Sequence, residues 1–227
     1  MKKLSNKSIA IFAFLFISIL IAVFAFKPDA PIPPVPPVPP APPAPPKPPV
    51  EDTTLISLSD SIKKVIEHAK WQTTQQVAYN GAYVRLEYPN GDVPANTGVC
   101  TDVIIRAFRA CKIDLQQLVH EDVINNRSRY SHIKRPNTDI DHRRCSNLIP
   151  FFKKHAKTLP IGNQDEDYKP GDIVFWELPL DHVGIVIDEK VPNTNRYYIV
   201  HNIGGGPQKE DVLFNFDIVG HFNYAPW

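Results

Sequence analysis

Cysteine is scarce in this chain. Only Cys100, Cys111 and Cys145 occur in 227 residues, with no C-x-x-C spacing, so nothing supports a cysteine-rich zinc site or a disulfide-stapled scaffold. The number is odd, so at most one disulfide can close within the chain and at least one thiol is left over. An excess of charge is missing too. Lys and Arg total 25 against 24 Asp and Glu, and no basic cluster suggests a nucleic-acid partner. There is no H-E-x-x-H, and the glycine run at Ile203–Pro207 lacks the lysine and following helix of a phosphate loop.

Two segments at the N-terminus are distinctive. Lys2, Lys3 and Lys7 precede an uncharged apolar run, Ile9–Phe26. As a helix that run spans about 27 Å, enough to cross a hydrocarbon core. With the basic residues in front, everything after Phe26 is expected on the outer side of the membrane. A cleaved signal peptide competes with this anchor, because Val23-Phe24-Ala25 is a passable cleavage site. Fourteen of the 24 prolines then fall between Pro28 and Pro49, in a Pro-Pro-X repeat with X at Val35, Val38, Ala41, Ala44 and Lys47. A period of three matches polyproline II, and Pro31–Pro49 would reach roughly 60 Å as a stiff rod. The expected organisation is a cytoplasmic tip and anchor over 1–27, a linker over 28–50 and one globular domain over 51–227. The linker would hold that domain above the membrane.

Within the domain, Leu58, Ile62, Val65, Ile66 and Ala69 follow helical spacing from Ser57 to about Thr74, with Ser59, Asp60 and Ser61 available as caps. Tyr88–Gly98 is dense in Pro, Asn and Gly and reads as loop. A helix follows from Cys100, with Ile104, Phe108 and Cys111 on its inner face and Arg106 and Arg109 pointing away. Another helix is expected around Phe151. Beyond Gly171 the pattern turns to strands: Ile173–Trp176, His182–Asp188, Arg196–Gly204, then "VLFNF" and "VGHFNYA". Helices followed by an antiparallel meander indicate an α+β fold.

Cys100 stands two residues after Gly98 at a helix N-terminus, where free N–H groups and the helix dipole favour a thiolate. His182 opens one strand and His201 ends the next. A catalytic thiol needs an imidazole to take its proton, and the imidazole needs a polar partner on its other nitrogen. The same three residues would also serve as zinc ligands. Base rates for a free cysteine favour a buried structural residue.

The motifs "GVCTDVIIRAFR", "PGDIVFW" and "HVGIV" resemble those of the NlpC-type cysteine peptidases of bacterial cell walls, which have a papain-like fold. The resemblance is closer to the exported bacterial domain-of-unknown-function family 1287. It is carried by "YPNGDVP", "GVCTDVIIRAFR", "DLQQLVHED", "DIDHRRCSNL", "PGDIVFW", "DHVGIV" and "HNIGGGP", in order from about Ala78 to Tyr224. The likeness implies a papain-like domain, its helices packed on an antiparallel sheet, with Cys100 as nucleophile, His182 as general base and His201 as the orienting residue. Asn202 competes for the third role, but neighbouring strand residues point to opposite faces and only one can serve. Cleavage would need no cofactor, the Cys100 N–H would receive the oxyanion, and the substrate would be an amide bond of peptidoglycan.

Other polar residues surround this constellation in the sequence. Asp102 can cap the helix or shape the pocket, and Asp181 precedes the histidine. His120–Asp122 and Asp141–Arg144 are charge runs of a kind that ordinarily forms a solvated loop. Arg143 or Arg144 could grip a carboxylate of a wall stem peptide in bidentate fashion. Cys111 reads as core, and Cys145 either pairs with it or stays free. Three functions fit these residues: an anchored wall amidase or endopeptidase in the periplasm, a zinc peptidase using Cys100, His182 and His201, and a non-catalytic wall-binding module. Partners would be peptidoglycan, the inner membrane through residues 9–26 and, further afield, an envelope-spanning assembly such as a secretion system.

Overall fold

The structure, a computed structural model, describes residues 58–226. The expected anchor and polyproline rod lie outside them. Among the described residues no helix is long and apolar enough to cross a membrane.

Helix α1 (Leu58–Gln72) leads into a two-residue strand, β1 (Ala78–Tyr79), which pairs in parallel with β2 (Thr97–Gly98). Then come α2 (Cys100–Arg109), α3 (Leu115–Asn125) and α4 (Cys145–His155), with short 3₁₀ turns at Arg127–Tyr130 and Asp141–Arg143 between the last two. The remaining strands are β3 (Lys157–Thr158), β4 (Ile173–Trp176), β5 (His182–Lys190), β6 (Tyr197–His201), β7 (Gln208–Glu210) and β8 (Ile218–Asn223). They form one antiparallel sheet in the order β3-β8-β4-β5-β6-β7. The fold is thus α+β, with helices packed on an antiparallel sheet.

Strand alternation explains why β4 reads as an unbroken apolar run. Ile173 and Phe175 join Val183, Ile185, Ile187, Val200 and Phe222 in the core shared with the helices. Val174 and Trp176 point the other way, into a smaller core with Val186, Ile199, Tyr168 and Leu213. A sheet covered on both faces selects apolar residues at every position. Gly184 belongs to the second face. A Cβ there would stand 2.5 Å from Ile199 Cγ2 and 3.1 Å from the Trp176 ring, so only glycine lets the indole lie across β5. Asp172, of the "PGD" turn, is buried. Its carboxylate faces His221 Nε2 at 3.0 Å and accepts from Asn223 and the Lys169 N–H, joining the turn to β8.

Several sequence expectations are corrected. "VLFNF" forms turns rather than a strand, and the edge strand is Gln208–Glu210. Ser59–Ser61 lie inside the first turn of α1 rather than ahead of it. Arg106 does not point away: α2 is buried on every side, because the loop before it folds back over it. The Arg106 guanidinium holds that loop through Asp92 at 3.0 Å and the carbonyls of Val93, Pro94 and Thr97. Nor are the two central charge runs mostly solvated: only Glu121 and Arg144 of them are exposed. His120 and Asp141 pair at 2.8 Å, and Asp122 gathers Tyr130, Arg129 at 2.7 Å and His155 at 3.0 Å. Burial alone would raise the Asp122 carboxyl, but the hydrogen bonds from Tyr130, His155 and Arg129 hold it below the usual carboxylate range.

Candidate active site

The chain enters α2 through a built corner. Val99 has no side chain able to cap, so Asp102, at the third helical position, reaches back and accepts the Val99 N–H at 2.7 Å. The same carboxylate takes a two-point contact from Arg143, Nε to Oδ1 and Nη2 to Oδ2, each 2.9 Å. Both side chains are almost wholly buried. Asp102 therefore caps the helix and also ties it to the turn before α4. Arg143 is committed to that carboxylate and shapes the wall of the site rather than standing free for a substrate. Arg144 is exposed on the rim.

Cys100 occupies the first position of α2, in a cleft of about 360 Å³ walled by Tyr79, Val99, Arg143, Cys145, Leu180 and Asp181, among others. Its thiol ionises at about 5. The largest cause is a hydrogen bond from Cys145, whose Sγ lies 3.9 Å away. Burial opposes ionisation; the bond and charge of His182 and the Val183 N–H favour it. The Cys145 thiol, bonded to a neighbour that ionises first, is pushed up in turn.

His182 and His201 sit on adjacent strands and meet ring to ring, with His182 Nε2 2.8 Å from His201 Nδ1. That leaves Nδ1 of His182 as the ring nitrogen for the thiol. His201 Nε2 lies 2.8 Å from Glu210 Oε2, a close approach whose alignment falls short of a hydrogen bond. Burial first, and the charge of His182 second, lower the His201 pKa, so this ring stays neutral and can accept a hydrogen bond from its neighbour rather than competing with it for a proton. Trp176 closes over the pair, its ring centre 5.8 Å from His182 and 6.5 Å from His201. Asn202, of opposite strand parity, turns away from the histidines. Its amide donates to Gly98 O at 3.3 Å and its carbonyl accepts the Gly204 N–H, securing the chain just before Cys100. Gly204 and Gly206 both have positive φ, which makes the "IGGGP" run a turn.

Cys100, His182 and His201 thus come together, with Asp181, Arg143 and Arg144 at the margin. Among the described residues, no three His, Cys, Asp or Glu side chains group as ligands of one ion; His201 meets His182 nitrogen to nitrogen instead of converging on a shared point. Two neighbours were not picked out from the sequence. Cys145 opens α4 as Cys100 opens α2, and that shared helix-start position was the available signal. Glu210 lies two residues beyond Gln208, the partner of His201, and so on the same face of the sheet. The expected alternative of a Cys111–Cys145 pair is not met: all three thiols are free, and Cys111 Sγ rests 3.2 Å from Ser61 O.

Residues 66–224 match the family described as domain of unknown function (DUF1287). A protein of Escherichia coli (strain K12) described as "Uncharacterized protein YijF" is 47% identical over 165 residues, covering 70% of this chain and 80% of that protein. The chain belongs to the DUF1287 family.

Proposed function

We propose that this protein is a cysteine-type hydrolase of amide bonds in peptidoglycan, an amidase or endopeptidase built on a papain-like, NlpC-type fold. The observation that carries the reading is the contiguous path from Cys100 through His182 and His201 to Glu210, opening on a cleft. His182 takes the thiol proton, and its Nε2–H then donates to His201 Nδ1, which stabilises the imidazolium. The thiolate attacks the scissile carbonyl, and the developing oxyanion receives the N–H of Cys100, one of the first-turn donors with no intrahelical partner. His182 then protonates the leaving amine. Water, activated by the same imidazole, releases the acyl group from Cys100. The apolar run Ile9–Phe26, as anchor or cleaved signal, and the proline-rich linker support a location in the bacterial envelope, with the domain in the periplasm held toward the wall.

Digestion of purified peptidoglycan by the full-length chain, with products identified by mass spectrometry, tests the proposal. New fragments are expected, absent with Cys100→Ala, reduced by about 10²–10⁴-fold in rate with His182→Ala, and unaffected by a chelator. Loss of cleavage under chelation would instead make Cys100 a metal ligand. A folded chain that binds wall without cleaving it would be a binding module.

A further inference from the structure

The two thiols in the cleft have a consequence of their own. Cys100 and Cys145 each occupy the first position of a helix, and the two helix starts converge so that their sulfurs lie 3.9 Å apart. Both line the same cleft. Their separation exceeds the 2.0–2.1 Å of a disulfide by about 2 Å, a distance that side-chain rotation can close. Cys111 is held elsewhere, against Ser61. We propose that Cys145 is the resolving thiol of Cys100, and that a peroxide converts the pair reversibly into a disulfide that removes the nucleophile. In the first step the Cys100 thiolate attacks one peroxide oxygen. A sulfur–oxygen bond forms, the oxygen–oxygen bond breaks, and hydroxide leaves. Cys145, no longer beside a thiolate, then attacks the sulfenic sulfur, its thiol proton passing to the departing hydroxide. The sulfur–sulfur bond forms and the sulfur–oxygen bond breaks; the two hydroxides take up the two thiol protons, so that two thiols and one hydrogen peroxide yield one disulfide and two waters. The readily formed thiolate of Cys100 suits it to the first step, and the open cleft admits an oxidant. The reverse reaction needs an external dithiol, acting by two exchanges.

The proposal rests on the hydrolase reading only for its consequence; the chemistry of the pair is testable without it. The full-length chain is treated with hydrogen peroxide, its remaining thiols are alkylated, and its peptides are mapped without reduction. The expected result is a Cys100–Cys145 cross-link with Cys111 alkylated, undone by dithiothreitol. In Cys145→Ser, Cys100 is expected to pass to the sulfinic acid, which dithiothreitol does not reverse. Wild-type Cys100 reaching the sulfinic acid while Cys145 stays alkylatable, or a bond from Cys100 to Cys111, would overturn the proposal. This wild-type map stands even if the variant does not fold. Peptidoglycan cleavage on the same samples should vanish on cross-linking and return on reduction. A chain that cross-links but never cleaves overturns the hydrolase reading and leaves the thiol pair intact; undiminished cleavage by the cross-linked chain overturns the switch.

Discussion

At the scale of single residues, the proposed reaction depends on one thiol being ionised in a place where burial alone would keep it neutral. Cys145 supplies the largest favourable contribution, ahead of His182. Alkylation of Cys100 by iodoacetamide, followed against pH, should therefore rise through a midpoint near 5, the fraction of thiolate growing as pH increases past it. With Cys145→Ala the midpoint should move up, toward the ordinary thiol range. An unchanged midpoint would assign the depression to His182 and the helix start instead. Asp102 gives a second test. Asp102→Ala strands the buried Arg143 guanidinium and frees the Val99 N–H, so it should cost about 3 kcal/mol in denaturant unfolding. Adding Arg143→Met should recover much of that loss, because the cost lies in an unpaired buried charge. Asp102 was visible in the sequence as a cap or a pocket residue, but its commitment to Arg143 was not. A contact across 41 positions leaves no periodic trace.

At the scale of elements, a short apolar strand and the turn before it were readable, whereas edges and loops were not. Ile173–Trp176 carries β-branched and aromatic residues at every position because both faces of β4 are covered. "VLFNF" is similarly apolar and aromatic but folds as turns, with Leu213 buried under Trp176 through the Trp176 Nε1–Leu213 O bond. Its apolar residues serve packing without strand pairing, and composition does not separate the two. Likewise, Arg106 and the central charge runs looked solvated because periodicity reports a helix's own faces and not a loop folded over them. Gly184 shows how closely the strands are fitted around the site. Gly184→Val would force a side chain between Ile199 and Trp176, directly opposite His201. It should lower stability by about 1–3 kcal/mol, as overpacking does, and shift indole fluorescence. Because it displaces both histidines, it should slow Cys100 alkylation at pH 7 by more than the stability loss explains. A variant that melts earlier but alkylates at the wild-type rate would show that Trp176 is only a structural cover.

At the scale of the whole molecule, the apolar run Ile9–Phe26 and the Pro-Pro-X repeat bear on where the proposed hydrolase would work rather than on what it would do. The proposed arrangement treats Pro31–Pro49 as a spacer, and its stiffness, not its length in residues, is the property that matters. Nineteen residues reach roughly 60 Å as polyproline II but average only about 24 Å as a Gly/Ser coil. Replacing Pro31–Pro49 by Gly/Ser of equal length should leave cleavage of solubilised peptidoglycan fragments by the purified chain unchanged, because no residue of the cleft is touched. In cells, release of wall fragments should fall, since the domain would lie closer to the membrane on average. Equal release from both forms would make the proline repeat a plain tether. A fall in the purified assay as well would mean that the repeat acts on the domain itself, a role outside the spacer proposal.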